Sequence, residues 1–512
     1  MEEIFRYFKE HYRQDPWDKP QLRAIDLKQL EKVDSEALEE DFCPKEVWMA
    51  LRECNGNKAP GLDGFNLNFI KRNWDSIKED FLNFLKDFHS DQSVVSHLNR
   101  TFFALIPKVG NRTKLSDFRP ISFVGSLYKL LAKILANRLK KVMNVLIGDT
   151  QMAFVKGRQI IDNFVIANEI IHSWKNDREG GAIVKLDFEN AYDCIDHEFL
   201  DIVMDKMGFG SRWRRWISSC ISTPTLSVLV NGCPTEQFVL QKGLRQGDPL
   251  SHLLFNIAIE ALNQLLVKAT SQNLLEGARF GLNGEHITHL QFTDDTIVFL
   301  KPKIEYLINL KRILRCFEMI SGLRINFQKS YIARVVKLGM MENEWADSLR
   351  CKVTNLPICY LRLPLGANPN KKSFWDPVVQ KIEKRLAPWK MRCLSKGGRL
   401  VLIQSVLASM PTCFMSIFKM PVGVAKKLEK LQREFFWGDG VLKRKIYSVD
   451  WKTMCKRKEN GGLGIGHLMD KNTGLLAKWI WRFGSEVNSL WKRVLCAKYG
   501  MNINDLSWKL KA

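Results

Sequence analysis

The sequence has no pair of cysteines at metal-binding spacing, although it holds 12 cysteines among 512 residues. The two closest, Cys351 and Cys359, lie eight positions apart, so the Cys-x-x-Cys spacing of a zinc finger is missing. Because no secretory signal is recognisable, we expect the cysteines to be reduced residues of the core. These absences argue against a zinc-finger module as the basis of function.

The patterns of a signal peptide and of a membrane span are also missing. Residues 1–6 are charged and mixed, unlike a signal peptide. The longest uncharged run, residues 400–418, is broken by Pro411 and carries several Gln, Ser and Thr side chains. Such a run predicts a buried helix and its end, so we expect no membrane partner.

Negative charge is scarce in this chain. It has 55 Asp and Glu against 78 Lys and Arg, which gives a net charge of +23. An excess that large indicates a polyanionic partner, either nucleic acid or a membrane surface. Because no membrane segment is expected, nucleic acid is the better hypothesis. The length predicts about two to four domains with a large core.

Residues 291–299 form the stretch around which the rest of the chain is organised. They read as two short apolar strands with Asp294 and Asp295 at the bend. Adjacent strand residues point to opposite faces, so both carboxylates reach one site only if the chain turns there. Two such carboxylates would suit Mg²⁺, and an ordinary solvated turn is the alternative.

A third carboxylate favours the metal site over the solvated turn. Asp187 directly follows the apolar run 182–186, which predicts a buried central strand. Three carboxylates meeting on one sheet could hold two divalent cations about 3.5–4 Å apart. One cation would activate a primer 3′-hydroxyl and the other would neutralise the leaving pyrophosphate. Phosphoryl chemistry of this kind needs cations and flexible loops around the phosphates.

Candidates for those cations and loops follow from three segments. Lys108 ends a strand-like run, and Arg119 stands just beyond a short loop, so both could face a triphosphate. Each alone could equally be a solvated cation. Residues 243–251 hold two glycines that allow close approach to a ligand, and Asp248 with Pro249 predicts a helix start. The alternative for this loop is an ordinary helix start.

The chain becomes basic and helical after residue 370. Tryptophans interleave with the basic residues there, which is typical of a surface that follows a nucleic-acid backbone. A helical bundle with an incidentally basic face is the alternative. The predicted nucleic-acid contacts are Lys381, Arg385, Lys390, Lys396 and Arg399.

Several stretches together are specific to one family. They are Asn57-Lys58-Ala59-Pro60-Gly61, Phe118-Arg119-Pro120-Ile121-Ser122, Phe154-Val155-Lys156-Gly157-Arg158-Gln159, Leu186-Asp187-Phe188-Glu189-Asn190-Ala191-Tyr192-Asp193, Gly243-Leu244-Arg245-Gln246-Gly247-Asp248-Pro249-Leu250-Ser251, Phe292-Thr293-Asp294-Asp295 and Leu394-Ser395-Lys396-Gly397-Gly398-Arg399-Leu400. With these motifs in order, the chain resembles the reverse transcriptase of LINE-class non-LTR retrotransposons, closest to the plant type. Only the first 40 residues match weakly.

The resemblance implies an α+β fold of the right-hand polymerase type, with fingers, palm, thumb and a mostly helical C-terminal region. The implied divisions are a helical N-terminal extension (1–55), fingers with the first palm elements (56–180), palm (181–335), basic thumb (336–440) and a truncated connection region (441–512).

The resemblance also implies residue roles. Asp187, Asp294 and Asp295 would be catalytic and would bind the metal, Mg²⁺ or Mn²⁺, together with the Phe188 carbonyl. Tyr192 would screen the ribose 2′-position and favour dNTP over NTP. The remaining nucleotide-binding residues would be Lys108, Arg119, Gly243, Gln246, Gly247 and Lys329. Of these, Gln246 and the loop backbone would line the nascent base-pair pocket, and Lys329 would assist pyrophosphate departure.

Four positions depart from the family pattern. Thr293 stands at a usual Ala, Lys156 at a usual Pro, and His252 follows Ser251 where Pro is usual. Thr293 is β-branched and suits a strand, but it adds bulk beside the primer end. Arg362 occupies a usual Gly and would be strained by about 1–2 kcal/mol if that position needs a positive φ. We also expect neither the family's upstream endonuclease nor its downstream Cys/His module here.

We therefore expect an RNA-directed DNA polymerase that acts on an RNA template, a DNA primer or target DNA, and dNTP substrates. An inactive remnant that only binds nucleic acid is the main alternative. An intron-type maturase shares the palm but fits the loops near Gly243 and Lys396 less well. Such elements act at chromosomal DNA, so we expect the nucleus, with the cytoplasm as the alternative. The clusters 443–445 and 456–458 suit either nuclear import or backbone contacts.

Overall fold

A computed structural model describes residues 1–14, 19–20, 25–108, 110–111, 113–176, 180–281, 285–336, 341–386, 393–438 and 449–501. The helices within these ranges are α1 (Glu2–His11), α2 (Lys32–Leu38), α3 (Pro44–Glu53), α4 (Leu67–Arg72), α5 (Trp74–Ser90), α6 (Ser126–Leu146), α7 (Ile160–Asn176), α8 (Ala191–Cys194), α9 (His197–Lys206), α10 (Ser211–Ser222), α11 (Ser251–Ser271), α12 (Ile304–Ser321), α13 (Met341–Leu349), α14 (Asp376–Arg385), α15 (Lys396–Leu402), α16 (Thr412–Met415), α17 (Val422–Trp437), α18 (Trp451–Cys455), α19 (Leu468–Ser485) and α20 (Leu490–Tyr499).

The strands within the same ranges fall into four sheets. They are β1 (Arg100–Pro107), β2 (Phe118–Val124), β3 (Ala182–Leu186), β4 (Thr225–Val230), β5 (Cys233–Pro234), β6 (Phe238–Val239), β7 (Ala278–Arg279), β8 (His286–Ile287), β9 (His289–Phe292), β10 (Asp295–Leu300), β11 (Tyr331–Arg334), β12 (Lys352–Asn355), β13 (Ile358–Tyr360) and β14 (Leu363–Leu365). This mixture of helices and largely antiparallel sheets is the α+β fold expected from the sequence.

The central sheet has the strand order β12-β11-β3-β10-β9. Its middle strand, β3, spans the five residues that the apolar run predicts, and it pairs antiparallel with β10 and β11. Side chains alternate between two faces, and both faces are apolar. Val184 and Val298 pack against one core cluster, while Ile183 and Ile297 pack against another. Burial on both sides explains why β3 is apolar at every position except Lys185.

A second sheet holds the hairpin β1–β2 and carries the predicted triphosphate contacts. β1 pairs antiparallel with β2 and parallel with β4. The β1–β2 register ends with Pro107 opposite Phe118, which places Lys108 and Arg119 at the same end of the hairpin. The backbone N–H of Lys108 donates to the carbonyl of Asp117 at 2.7 Å and closes that end.

The helix α11 is a long apolar helix of the core. By length and composition alone it could cross a membrane, but 72% of its most apolar stretch is buried inside the fold. It begins at Ser251, two residues beyond the start that Asp248 and Pro249 predicted. Asp248 still accepts a hydrogen bond from the backbone of Leu250 at 2.9 Å and ion-pairs with Arg245, so it fixes the turn before the helix.

The C-terminal helices fold back on the rest of the chain. Arg482 of α19 makes a two-pronged ion pair with Asp162 of α7, at 2.7 and 3.0 Å, and both side chains are buried. Lys498 of α20 pairs with Glu169 of α7 at 2.7 Å. This contact ties residues 468–499 to the layer beneath the central sheet. The domain boundaries given above stay predictions.

Candidate active site

The bend between β9 and β10 is a tight turn with one strained residue. Phe292 and Asp295 are opposed in the register, so Thr293 and Asp294 form the two-residue turn. Thr293 is buried and has a φ of +57°, a region that β-branched residues rarely adopt. The expectation that Thr293 suits a strand is therefore wrong, because the residue lies in the turn. The turn projects Asp294 from the edge of the sheet.

Asp187 directly follows β3 and is held by a second turn. Its N–H donates to the Ser330 hydroxyl at 3.0 Å, and its carbonyl accepts from the Asn326 N–H at 2.7 Å. Phe188 lies opposite Ile325 in an isolated bridge whose hydrogen bonds use Asp187 and Glu189. The Phe188 carbonyl takes no part in these two hydrogen bonds.

Asp187 and Asp294 line the same cavity, which has a volume of about 680 Å³. Burial raises the pKa of the Asp187 carboxyl, and the charge of Asp295 raises it further, while Lys329 and Lys185 oppose the shift. Asp294 is exposed in the turn, but the protein around it displaces enough water to raise its pKa, and Asp295 and Asp187 raise it further. Mutual repulsion of this kind is relieved by a bound cation.

Asp295 is engaged differently from the other two carboxylates. Continuing the β3–β10 register by one residue sets Asp295 opposite Asp187, and the Asp295 carboxylate ion-pairs with Lys185 at 3.3 Å. Among the described residues, no group of three His, Cys, Asp or Glu side chains is arranged to hold a metal. Asp187, Asp294 and Phe188 line the cavity and Asp295 does not, so the carboxylates available there include those of Asp187 and Asp294. These are hard oxygen donors and fit a divalent cation.

Three cations share this cavity with the carboxylates. Lys108, Arg119 and Lys329 all line it. The Lys108 ammonium is held by the Ser116 carbonyl and the Asn190 side-chain oxygen, both at 3.0 Å. Burial lowers the pKa of Lys108, and the neighbouring charges of Arg119 and Lys329 lower it further. A cluster of like charges that costs energy alone is suited to a polyanion such as a triphosphate.

Tyr192 and Gln246 form the inner wall of the same cavity. The Tyr192 ring stacks on Phe255, with centroids 4.8 Å apart, and burial together with the Asp294 charge raises its pKa. The Gln246 carbonyl accepts from the Ser122 N–H at 2.8 Å, which joins the loop to β2. The predicted nucleotide residues Tyr192 and Gln246 thus lie with the carboxylates and cations.

Each of the two glycines of the loop has a positive φ and lies close to a backbone carbonyl. Gly243 has a φ of +88°, and a Cβ there would lie 2.5 Å from the Asp193 carbonyl oxygen. Gly247 has a φ of +109°, with a Cβ position 3.1 Å from the Ser122 oxygen. Side chains at either position would push the loop away from the helix α8 or from β2. The backbone of these glycines places Gln246 at the first cavity. Neither Gly243 nor Gly247 lines that cavity itself.

A second cavity of about 540 Å³ shares Tyr192 and Gln246 with the first. Its other lining residues include Lys58, Lys129, Lys133, Phe154 and His252. The rings of Phe154 and His252 are 4.5 Å apart, and burial lowers the pKa of His252 to about 4. The departure at His252 therefore supplies a neutral ring next to basic side chains.

The predicted nucleic-acid contacts differ in their exposure to solvent. Lys381 and Arg385 are exposed on α14, and Lys396 is exposed with its ammonium 5.2 Å from the Trp437 ring. Lys390 lies outside the described residues. Arg399 is a correction: it is 8% exposed, and its guanidinium donates to the carbonyls of Leu394, Phe436 and Gly438. It fastens the end of α17 instead of contacting nucleic acid.

Three residues at the site carried no role in the sequence analysis. Gln151 brackets the Thr293 backbone, Asn190 binds Lys108, and Asp193 accepts from the Gln246 amide at 3.4 Å. Asn190 and Asp193 lie inside the motif at residues 186–193. The charged Asp193 in the otherwise uncharged helix α8 was the signal that could have identified it. Nothing local marked Gln151, because its partner is 142 residues away.

Comparison with known proteins adds an independent observation. The sequence profile of the family described as reverse transcriptase (RNA-dependent DNA polymerase) matches residues 106–361, which is half of the chain. The matched stretch contains every lining residue of the first cavity, including Asp187 and Asp294.

Similar proteins come from transposable elements. The chain is 27% identical to the transposon TX1 uncharacterized 149 kDa protein of Xenopus laevis, over 78% of this chain and 30% of that protein. It is 27% identical to the Pol polyprotein of the type-2 retrotransposable element R2DM of Drosophila melanogaster, over 78% and 38%. A putative ribonuclease H protein of Arabidopsis thaliana is 37% identical over 27% of this chain and 22% of its own length.

The chain thus spans less than two-fifths of the length of these three relatives. The motif resemblance to reverse transcriptases of non-LTR retrotransposons is confirmed by the profile and by these relatives together. The predicted fold class, an α+β polymerase of the right-hand type, is confirmed with it. The chain belongs to the reverse transcriptase (RNA-dependent DNA polymerase) family.

Proposed function

We propose that this chain is an RNA-directed DNA polymerase that transfers a nucleotide from a dNTP to a primer 3′-hydroxyl on an RNA template. One observation carries the proposal: Asp187 and Asp294 share a cavity with Lys108, Arg119 and Lys329. Carboxylates and cations around one cavity are what nucleotidyl transfer needs, because the reaction depends on positioning and charge stabilisation. The family match covers all five residues.

The metal of this site is proposed to be Mg²⁺, with Mn²⁺ as a substitute. Reverse transcriptases use a divalent metal, and Asp187, Asp294 and the Phe188 carbonyl would hold it here. When bound, the metal supplies Lewis acidity to the attacking and leaving oxygens. The carboxylates, whose pKa values are raised by burial and by one another, gain a partner that favours their charged form. Asp295 stays paired with Lys185 and supports the sheet edge.

The cationic wall would bind the triphosphate of the dNTP. Lys108 is fixed by Asn190 and Ser116, so its ammonium is oriented before substrate arrives. Arg119 is exposed, and Lys329 lies within the turn whose residues Asn326 and Ser330 hold Asp187. Cations on such fixed supports stabilise the leaving pyrophosphate without rearrangement.

Tyr192 is proposed to select the sugar. Its ring is held against Phe255 and cannot swing aside without losing that stack. It lines both cavities, between the metal-side carboxylates and the basic second cavity. A 2′-hydroxyl on the incoming nucleotide would meet this ring, so dNTP is favoured. The second cavity, with its lysines and the Phe154–His252 rings, would receive the template strand.

Primer extension on an RNA template tests the proposal. Wild-type protein with Mg²⁺ and dNTPs should extend a DNA primer, and Asp294→Asn should abolish extension while duplex affinity stays unchanged. The matched control is Asp75→Asn, which neutralises an exposed carboxylate in the first turn of α5. Absence of extension by folded wild-type protein, with either metal, contradicts the activity.

The second candidate function is nucleic-acid binding without turnover. Strain at Thr293, next to Asp294, is the observation that favours it, because a distorted turn would misplace a catalytic carboxylate. The exposed cations Lys381, Arg385 and Lys396 would then carry the function. A gel shift whose affinity falls steeply with salt, together with no primer extension, selects this function.

The nucleus is the proposed place of action. The cluster Lys456, Arg457 and Lys458 is exposed, which a basic import signal requires. Residues 443–445 lie outside the described residues. A fluorescent fusion of the wild type should accumulate in the nucleus. A fusion of a variant with the three residues at 456–458 changed to Ser should stay in the cytoplasm. Equal nuclear signal in both would show that this cluster does not direct import.

A further inference from the structure

The N-terminal helix packs close to the nucleotide cavity. The first 40 residues gave no chemical signal in the sequence, but α1 and the residue after it join a small core. Its buried members are Phe8, Tyr12, Phe103, Leu226, Val228, Phe238 and Leu240. This core lies on the β1–β4 sheet, whose hairpin carries Lys108 and Arg119. The N-terminal segment is therefore a neighbour of the candidate active site.

Tyr12 reaches from this core to Asp193. Tyr12 is 2% exposed, and its hydroxyl lies next to the Asp193 carboxyl group as a donor that lowers the pKa of Asp193. Asp193 is 4% exposed and follows Tyr192 directly in α8. A buried carboxylate needs such donors, because burial without them is costly. The hydroxyl therefore fixes the carboxyl group one residue beyond the proposed sugar-selecting ring.

Asp193 passes this constraint to Gln246. The Gln246 amide donates to Asp193 Oδ1 at 3.4 Å, and Gln246 lines both cavities. Burial raises the pKa of Asp193, whereas the Tyr12 and Gln246 hydrogen bonds and the charges of Lys108 and Arg119 oppose that shift. The carboxyl group is thus the common acceptor between an N-terminal hydroxyl and an amide at the cavity.

A second set of contacts ties the same loop to the N-terminal segment. The Gln241 N–H donates to the Tyr12 carbonyl at 3.2 Å, and the Gln14 N–H donates to the Gln241 side chain at 3.0 Å. At Gly243 the loop touches the backbone of Asp193. The segment 12–14 therefore holds the start of the loop, and Asp193 holds the side chain of Gln246 farther along it.

We propose that Tyr12 and Asp193 are positioning residues of the nucleotide site: the Tyr12 hydroxyl orients Asp193, and Asp193 orients the Gln246 amide against the nascent base pair. The inference rests on the proposed function. It assigns a role to the N-terminal helix, which would serve as a fixed support of the active centre. Neither residue touches the reacting atoms, so their effect should appear in nucleotide binding and leave the chemical step unchanged.

Tyr12→Phe is the decisive variant, because it removes one hydroxyl and keeps the ring in the core. Its KM for the complementary dNTP should rise by about three- to tenfold, the loss expected when an orienting hydrogen bond is removed, while kcat stays unchanged. The matched control is Tyr306→Phe, which deletes a similar hydroxyl–carboxylate bond, to Glu276 at 3.1 Å, away from the cavity. Its KM should not change.

A double-variant cycle separates positioning from a general loss of stability. In a Gln246→Ala background, Tyr12→Phe should no longer alter KM, because the amide that it orients is gone. An equal rise in KM with and without Gln246 would overturn the proposal, as would a Tyr12→Phe variant that matches Tyr306→Phe.

Equilibrium binding of the complementary dNTP to a protein–duplex complex with a dideoxy-terminated primer gives a readout without turnover. Weaker binding by Tyr12→Phe supports the positioning role even if the wild type extends no primer, which would contradict only the polymerase activity. Unchanged dNTP affinity in that variant contradicts the positioning role alone. A wild-type complex that binds no dNTP overturns both proposals.

Discussion

The side-chain amide of Gln151 holds the backbone of Thr293 from both sides. Gln151 Oε1 accepts from the Thr293 N–H at 3.0 Å, and Gln151 Nε2 donates to the Thr293 carbonyl at 3.4 Å. The same Oε1 accepts from the Ala153 N–H at 3.0 Å, and the Gln151 side chain is fully buried. A residue with a φ of +57° thus keeps its conformation because a neighbouring segment satisfies its backbone.

Gln151→Leu should therefore impair activity more than binding. The change leaves the N–H groups of Thr293 and Ala153 buried without their acceptor, at a cost of about 1–3 kcal/mol for each donor. The turn would then relax and move Asp294, so kcat should fall at least tenfold while duplex affinity changes little. Primer extension and urea unfolding measure the two effects.

The control for this prediction is Gln159→Leu, at a polar residue that is partly exposed outside the turn. It should leave kcat unchanged. A Gln151→Leu variant with normal kcat and reduced stability would show that the turn holds its shape without the amide.

Local pattern predicted the parts of the site that depend on continuous apolar segments. The run before Asp187 predicted β3 to the residue, because a strand buried on both faces is mostly apolar, here with Lys185 as its one charged residue. At Arg362 it was the resemblance to the family, with its usual Gly, that raised the question of a positive φ, and the φ is +65°. Both cases depend on the geometry of a few adjacent residues.

Long-range partners could not be predicted in this way. Arg399 lies among basic residues and looked like a phosphate contact, but carbonyls 37 and 39 positions away bury it. Thr293 looked like a strand residue because nothing nearby indicated the Gln151 support. Asp295 looked equivalent to Asp294 until the sheet register set it beside Lys185. In each case the deciding contact comes from a distant segment.

Arg362→Gly should stabilise the protein. Arg362 is exposed in the turn between β13 and β14, where Tyr360 pairs with Leu363. A side chain at positive φ costs about 1–2 kcal/mol, and glycine recovers most of that minus its own entropy. The free energy of unfolding should rise by about 1 kcal/mol in urea. Arg362→Ala is the control: it removes the charge but keeps a Cβ, so it should gain little, and an equal gain would assign the effect to charge.

Asp193→Asn should change the pH dependence of stability. Burial raises the pKa of Asp193 from 3.8 to about 6. A carboxyl whose pKa is raised in the folded state favours folding below about pH 3.8, and that contribution is lost as pH rises through 6. The neutral amide has no such loss. The stability of Asp193→Asn relative to the wild type should therefore increase from pH 4 to pH 7, by at most about 3 kcal/mol.

Chemical unfolding of both proteins at pH 4.5, 6 and 7.5 measures this difference. Taking the difference cancels the titration of the other carboxyl groups, which both proteins share. A difference that stays constant across the three pH values contradicts a raised pKa at Asp193.

Arg482→Met should destabilise the whole protein, because it leaves the Asp162 charge buried without its partner. The two side chains are 5% and 3% exposed and join α19 to α7. Breaking one side of a buried pair costs about 3–5 kcal/mol, whereas removing both charges costs much less. The double variant Arg482→Met with Asp162→Asn should thus recover part of the loss in urea unfolding, since Asn keeps an acceptor for the Gln159 N–H.

Lys32→Met, which breaks the exposed pair with Glu36, is the control and should cost less than about 1 kcal/mol. A single-variant loss as small as the control's would mean that the C-terminal helices do not depend on this ion pair for their attachment to α7.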